Sequence, residues 1–164
     1  MISGKGMGGH HSAKALKNEW LTPPELIKTL GEFDLDPCSP INRPWSTAKN
    51  HFTIEDDGLA LPGKGRVWLN PPYGNQTGVW LNKLHQHGNG IALVFARTET
   101  NFFFSHVWNS ADALFFIRRR LFFYHVTGIR AKYDSGAPSV LIAYGNNNVL
   151  ALQQSSIKGK FIPL

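Results

Sequence analysis

Residues 66–74 read Arg-Val-Trp-Leu-Asn-Pro-Pro-Tyr-Gly, an apolar run that ends abruptly at Asn70. The run from Arg66 to Leu69 is typical of a short strand. The two prolines that follow lack N–H donors and cannot continue the strand. Asn70 is therefore predicted to lie just past the carboxyl end of a strand, where open α/β sheets bind their ligands.

The segments on either side of this strand alternate between strand and helix patterns. The helix that begins after Trp20 has Thr22 as its predicted cap, Pro23 at its first position, Glu25 completing a capping box and Gly31 at its end. We predict further helices over 76–87 and 100–109, and further strands over 33–36, 90–95, 113–117, 121–124, 139–144 and 149–152. This order predicts an α/β fold with a mainly parallel sheet and antiparallel strands at one edge.

Length and composition limit the possible classes of protein. The 164 residues fit one domain, which we place at residues 19–164, behind a glycine- and histidine-rich arm at residues 1–18. The His10-His11 pair lacks a third ligand at useful spacing, so we predict no metal site. A formal charge of +6 and a pI of about 9.6 favour nucleic acid as the partner.

Cellular location is predicted from what the sequence lacks. No apolar run is long enough to span a membrane, and the N-terminus does not read as a secretory signal. Cys38 is the one cysteine, which excludes a disulfide within the chain and indicates a reducing cytoplasm. No feature of the sequence indicates an obligate protein partner.

The Asn70-Pro71-Pro72-Tyr73 motif suits a site that activates an amino nitrogen. An aromatic amine is a poor nucleophile because its lone pair is delocalised into the ring. The Asn70 side-chain carbonyl and the Pro71 backbone carbonyl can accept its two N–H groups and favour the pyramidal nitrogen that attacks a methyl sulfonium. The prolines remove competing donors, and Tyr73 offers a face for a flipped base. An ordinary turn is the alternative interpretation.

Several landmarks occur in an order that resembles the small Dam-like DNA N6-adenine methyltransferases of phages and prophages. The resemblance covers roughly residues 18–145. Its landmarks are the opening Asn18-Glu19-Trp20-Leu21-Thr22-Pro23, the strand-end Phe33-Asp34-Leu35-Asp36-Pro37-Cys38, the acidic Glu55-Asp56-Asp57-Gly58-Leu59, the motif Asn70-Pro71-Pro72-Tyr73-Gly74, and Ala96-Arg97-Thr98-Glu99-Thr100.

The resemblance implies a fold, a methyl donor and a site. The fold is an abbreviated Rossmann-like methyltransferase core, the donor is S-adenosylmethionine, the substrate is double-stranded DNA, and the setting is the cytoplasm of a bacterial or phage-infected cell. Asn70 to Tyr73 are the implied catalytic residues. The implied cofactor contacts are Trp20, Thr22, Pro23, Asp36, Pro37, Cys38, Asp56, Asp57 and Asn70.

No segment has the length of a separate DNA-recognition domain, so DNA contact is predicted near the catalytic unit. Basic residues alternate with aromatic ones after residue 117, as they do on nucleic-acid surfaces. The predicted DNA contacts are Arg118, Arg119, Arg120, Arg130 and Lys132. A solvated hairpin is the alternative, and the phenylalanines of this stretch are predicted to lie in the core.

Other chemistries fit parts of the pattern. Cytosine C5 methyltransferases use a Pro-Cys nucleophile, but Pro37-Cys38 stands where the cofactor strand ends, so we do not expect a catalytic cysteine. Cytosine N4, RNA adenine and protein glutamine remain alternative substrates. The turn after Asp36 has no glycine, which leaves open a non-catalytic DNA-binding module with a degenerate cofactor site.

Overall fold

The computed structural model describes residues 19–164, so the predicted arm at residues 1–18 and its His10-His11 pair lie outside the described residues. The strands are β1 (Trp20–Leu21), β2 (Leu35–Asp36), β3 (Asn50–His51), β4 (Val67–Leu69), β5 (Gly90–Phe95), β6 (Ala113–Ile117), β7 (Tyr124–His125), β8 (Ser139–Tyr144) and β9 (Gly159–Pro163). The α-helices are α1 (Pro24–Leu30), α2 (Thr77–His87), α3 (Asn101–Phe103), which continues as a π-helical turn at Phe104–Trp108, and α4 (Asn146–Gln153).

Seven strands form one mixed sheet in the order β3-β2-β4-β5-β8-β6-β9, and β1 pairs with β7 in a separate two-stranded ribbon. Strands β3, β2, β4 and β5 are parallel to one another. Strand β8 is antiparallel to both β5 and β6, and β9 is antiparallel to β6. The predicted α/β class is confirmed, although antiparallel pairing begins inside the sheet, at β8, as well as at the β9 edge.

This topology places four strand ends together. Because β8 runs against both of its neighbours, β6 points the same way as β5. The carboxyl ends of β2, β4, β5 and β6 therefore meet at one edge of the sheet, which we call the carboxyl edge. Between β2 and β4 the described chain contains only the two-residue β3 and no helix.

Helices cover both faces of the sheet, and alternate side chains of β5 show the two layers. Ala92 and Val94 pack with α2 and the π-helical turn, in the cluster that includes Leu81. Ile91 and Leu93 pack on the other face with α1 and α4. Burial on both faces explains why residues 90–95 form a nearly continuous apolar run.

The predicted strand at 149–152 is wrong, because this segment belongs to helix α4. Gly145, at φ 92°, turns the chain out of β8, and its carbonyl accepts from the backbone N–H of Asn148. The buried Asn148 side chain then donates to the Tyr144 carbonyl. A short apolar run does not distinguish a strand from a buried helix turn.

Two more boundaries differ from the prediction. Thr22 makes no capping bond, and α1 begins at Pro24 with Pro23 as its N-cap. The predicted strand at 121–124 is wrong for residues 121–123, since β7 comprises only Tyr124 and His125. Residue Arg119 adopts the left-handed conformation at φ 70°, which redirects the chain after β6.

Candidate active site at the carboxyl edge

The carboxyl edge gathers the residues that carry the predicted chemistry. Asp36 ends β2, Asn70 follows β4, Phe95 ends β5 and Arg118 follows β6. The β1–β7 ribbon is attached to the same edge, because the Asn70 side-chain Nδ2 donates to the Trp20 carbonyl at 3.3 Å. Residues from five separate segments of the chain are thereby brought together at one end of the sheet.

The orientation of the Asn70 amide is set by its neighbours. A backbone carbonyl only accepts, so the contact with the Trp20 carbonyl requires that the amide NH2 faces β1. The Oδ1 atom therefore points the other way, where the Tyr73 hydroxyl lies 3.4 Å from it. This second bond is long, so Oδ1 is well suited to exchange it for a better donor.

The backbone after Asn70 is fixed by its prolines and by Thr77. The Thr77 hydroxyl donates to the Pro72 carbonyl at 2.9 Å and accepts from the Gly74 N–H at 3.2 Å. Gly74 has φ 121°, which favours glycine. Pro71 is buried, and no donor within residues 19–164 bonds to its carbonyl oxygen. Two acceptors of the motif, this carbonyl and Asn70 Oδ1, thus lack strong partners in the described chain.

Tyr73 lies over a second aromatic ring. Its ring stacks on Phe95 with centroids 4.3 Å apart and an interplanar angle of 8°. Tyr73 is 40% exposed, so part of its ring is accessible while Phe95 supports the ring. Stacking of this kind leaves a flat aromatic surface beside Asn70. Tyr73 was predicted from the sequence but Phe95 was not, because its only signal was its position at the end of an apolar strand.

Asp36 is buried, and it holds the loop that follows β2. Its carboxylate accepts from the Cys38 N–H at 3.0 Å and from the Thr47 hydroxyl. Burial raises the pKa of Asp36 to about 6, against the lowering effect of these two bonds. The His51 ring accepts from the Thr47 and Ala48 N–H groups, and burial lowers the pKa of His51. The residues that brace this loop, Thr47 and His51, were not predicted from the sequence.

The opening segment carries an unpaired polar atom. The Thr22 hydroxyl is buried and has no hydrogen-bond partner among the described residues. Thr22 lies two residues after Trp20, whose carbonyl contacts Asn70. A buried hydroxyl without a partner is unfavourable unless a ligand satisfies it. The contact between Trp20 and Asn70 therefore brings the opening segment, with Thr22 and Pro23, to the carboxyl edge. The Thr22 hydroxyl is left without a partner among the described residues.

The acidic pair Asp56-Asp57 lies in an exposed turn. Asp56 accepts from the Thr53 N–H at 2.8 Å, and Asp57 accepts from the Ala60 N–H at 3.3 Å. The next residue, Gly58, packs so closely that a Cβ atom there would lie 2.8 Å from the Pro37 carbonyl. The turn is therefore adjacent to the end of β2, while both carboxylates bond only within the turn.

An open depression lies between the loop after β2 and the β7 turn. Its volume is about 550 Å³, and residues 41–46 and Val126 line it. Trp45 packs edge-on against Tyr124 at 5.3 Å. A second cavity, of only about 20 Å³, lies between α2 and the strands near Trp80. It has room for about one water molecule and none for a cofactor.

A family model described as DNA N-6-adenine-methyltransferase (Dam) matches residues 9–150. This match spans most of the chain and every site residue described above. The chain belongs to this family. The predicted resemblance to Dam-like enzymes is thereby confirmed, and membership makes the protein a DNA methyltransferase. Neither a curated protein nor a solved structure matches the chain.

The environment of Cys38 does not suit a nucleophile in this Dam-family enzyme. Burial, with Asp36 nearby, raises the pKa of the Cys38 thiol far above neutrality. Nucleophilic attack requires the thiolate, and a partly buried thiol with a raised pKa supplies very little of it. Pro37 and Cys38 thus act as part of the backbone turn that Asp36 holds.

The predicted DNA contacts of this Dam-family chain lie on the excursion between β6 and β8. Arg118, Arg119 and Arg120 are exposed where β6 reaches the carboxyl edge. Arg130 lies over the Phe122 ring at 4.1 Å, and the Lys132 ammonium lies 5.4 Å from the Tyr133 ring centroid. The phenylalanines divide between two environments, since Phe123 is buried and Phe122 is only partly buried.

Strand β9 and the residue before it add basic side chains that were not predicted from the sequence. The Arg118 N–H donates to the Lys158 carbonyl, and Gly159 pairs with Ile117. Lys158 and Lys160 are exposed beside the arginine run. Their signal in the sequence was weak, because a segment containing glycine and proline did not read as a strand.

Metal ligands and membrane spans are both absent from the described part of the chain. Within residues 19–164, no three histidine, cysteine, aspartate or glutamate side chains cluster as metal ligands. None of the helices in this range has the length and apolar character that a membrane span requires.

Proposed function

We propose that this enzyme transfers a methyl group from S-adenosylmethionine to the exocyclic N6 amine of an adenine that is flipped out of duplex DNA. The observation that carries the proposal is the orientation of Asn70, whose Oδ1 faces away from β1 and accepts only the long bond from the Tyr73 hydroxyl. Two carbonyl acceptors next to an aromatic platform match the two N–H groups of an amine on a planar base.

In this proposal, the substrate amine takes the place of the Tyr73 hydroxyl as the donor to Asn70 Oδ1. Its N–H groups donate to Asn70 Oδ1 and to the Pro71 carbonyl, and the 3.4 Å contact with the Tyr73 hydroxyl is released. These bonds draw electron density toward the nitrogen and strengthen as positive charge develops on it. The base ring stacks on the exposed part of Tyr73, with Phe95 beneath. The extra proton leaves to solvent after transfer.

The cofactor residues fit a charged sulfonium donor. When bound, S-adenosylmethionine supplies an electrophilic methyl group. Thr22 provides a buried hydroxyl that no described residue satisfies, and Asp36 provides a carboxylate at the end of the first parallel strand. We assign cofactor contact to Trp20, Thr22, Pro23, Asp36, Pro37, Cys38 and Asn70, with Asp56 and Asp57 facing the cofactor adenine. The sheet serves as an abbreviated Rossmann-like core. Along the chain, only the two-residue strand β3 separates β2 from β4, and no helix stands there.

The basic excursion supplies the DNA contacts. We assign phosphate binding to Arg118, Arg119, Arg120, Arg130 and Lys132, and extend the surface to Lys158. Phosphate contacts fix the position of the duplex without reading its sequence. Adenine must leave the base stack to reach Asn70, which requires that the protein hold the backbone on either side of it.

Substitution of Asn70 tests this assignment. We expect Asn70→Ala to lower kcat for DNA methylation by at least about a hundredfold, because the amine then has one acceptor fewer. Calorimetry with S-adenosylhomocysteine should give a Kd within about threefold of wild type, because the other cofactor residues remain. Asn82→Ala, on α2, is the matched control and should leave both values unchanged.

Two outcomes would contradict the proposal. Equal loss of cofactor binding and turnover in Asn70→Ala would mean that Asn70 acts through the cofactor and is misassigned as the acceptor of the substrate amine. Absence of heat with S-adenosylhomocysteine in the wild type, at high protein concentration, would instead favour a DNA-binding module that has lost its cofactor site.

A further inference from the structure

The orientation of Asn70 depends on a strand of only two residues. Asparagine oxygen and nitrogen occupy similar volumes, so the amide could be turned by 180° without a clash. In the turned state its NH2 would face the substrate amine, which is itself a donor. The Trp20 carbonyl, 3.3 Å from Asn70 Nδ2, disfavours this state, because it only accepts and would then face the amide oxygen.

The position of that carbonyl depends in turn on the hairpin formed by residues 121–135. Within the described residues, β7 is the one sheet partner of β1, with Trp20 opposite His125 and Leu21 opposite Tyr124. The Trp20 and His125 rings also pack, with centroids 4.6 Å apart. The hairpin therefore holds β1 through both its backbone and a side-chain ring.

The other strand of the hairpin carries basic side chains. Tyr124 forms a bridge with Arg130, and the His125 N–H donates to the Ile129 carbonyl. The proposed DNA contacts Arg130 and Lys132 therefore lie on the same hairpin that holds β1. A continuous path of backbone pairing connects the DNA-binding surface to the amide of Asn70.

We propose that the β1–β7 ribbon is a positioning element that keeps the Asn70 amide in its reactive orientation, with Trp20 and His125 as its positioning residues. This inference rests on the proposed function of Asn70. It goes further by assigning a role in turnover to an exposed histidine that touches neither the motif nor, in this assignment, the DNA. Displacement of the hairpin moves the Trp20 carbonyl and allows the amide to turn.

The test compares three variants of the full chain. His125→Ala removes the ring that packs on Trp20, His125→Phe keeps an aromatic ring there, and Thr127→Ala is a control in the same exposed turn. The side-chain NH2 signals of Asn70 are assigned in ¹⁵N NMR spectra by their absence in Asn70→Ala. Their shifts and hydrogen exchange report the bond to the Trp20 carbonyl without any turnover.

We expect His125→Ala to shift the Asn70 NH2 signals, to speed their exchange and to lower kcat about tenfold. The Kd for S-adenosylhomocysteine should remain within about twofold of wild type. His125→Phe and Thr127→Ala should resemble wild type in all three measurements. Because His125 is exposed, removal of its ring leaves the buried core intact.

Two results would overturn the inference. The first is an unchanged set of Asn70 signals in His125→Ala. The second is a fall in kcat that is as large in His125→Phe as in His125→Ala, which would assign the effect to imidazole chemistry. If the wild type methylates no adenine, the proposed function is contradicted. The NMR comparison would still test whether the ribbon positions the Asn70 amide, because it does not depend on turnover.

Discussion

At the scale of single residues, the proposed catalytic motif stands out in the sequence because its chemistry is local. Asn70 and the two prolines specify acceptors, a fixed backbone and no competing donor within a few positions. The supporting residues are not local. Trp20, Phe95 and Thr47 meet the motif or Asp36 only through the fold, and no spacing in the chain indicates those contacts.

Asp36 predicts a pH dependence of stability. Its pKa is about 6 in the fold, against an unperturbed value of 3.8. The folded state therefore binds the Asp36 proton more tightly than the unfolded state does. The protonated carboxyl contributes its full stabilisation of the fold below about pH 4, and this contribution is lost as the pH rises through about 6. At about 1.36 kcal/mol per pKa unit, the loss is up to about 3 kcal/mol.

Asp36→Asn should remove this dependence. The difference in free energy of unfolding between the variant and wild type should move in favour of the variant by up to about 3 kcal/mol between about pH 4 and pH 8. Urea denaturation at intervals across this range measures it. A difference that stays constant with pH would show that the Asp36 carboxyl is not destabilised by burial.

At the scale of elements, prediction was accurate for the longer patterned segments and gave mixed results for the short apolar runs. Strand β5 and helix α2 lie within a residue of their predicted bounds. Helix α4 was predicted as a strand, because four apolar residues carry no clear period. Strands β1, β3 and β9 were not predicted because they are short or contain glycine and proline, and backbone pairing across the fold decides them.

Gly145 is the residue that turns β8 into α4. Its φ is 92°, and a Cβ atom there would lie 2.6 Å from the Gly88 carbonyl. We expect Gly145→Ala to destabilise the protein by about 1–3 kcal/mol. Gly136→Ala is the matched control, because its Cβ would meet nothing within 4 Å. Thermal unfolding measures both, and equal midpoints would contradict the assigned role of Gly145.

The excursion after β6 predicts a salt-dependent effect on DNA binding. Arg119→Ala with Arg120→Ala should weaken DNA binding and reduce the slope of log K against log salt by about 0.9 for each phosphate that is no longer neutralised. Fluorescence anisotropy at several salt concentrations measures the slope. Lys28→Ala with Lys64→Ala removes two exposed charges elsewhere and serves as the control. The same change of slope in both double variants would show a general effect of net charge.

At the scale of the whole molecule, the proposed function gives one edge of one sheet two tasks, catalysis and DNA contact. The parallel half, β3 to β5, ends at Asp36 and Asn70, and β6 ends at the arginine run. Because β8 is antiparallel to both β5 and β6, the parallel strands and β6 end at the same edge of the sheet. The predicted catalytic and DNA-binding residues stand in separate parts of the sequence, and the strand directions explain why they lie at the same edge of the sheet.

The most direct test of the central claim is the identity of the methylated product. Plasmid DNA incubated with the enzyme and S-adenosylmethionine, then digested to nucleosides and analysed by mass spectrometry, should contain N6-methyladenine. The same reaction with Asn70→Ala should contain almost none. N4-methylcytosine in the DNA, or a methyl group found only on RNA or on protein glutamine, would contradict the assignment of Asn70 and Pro71 to the adenine amine.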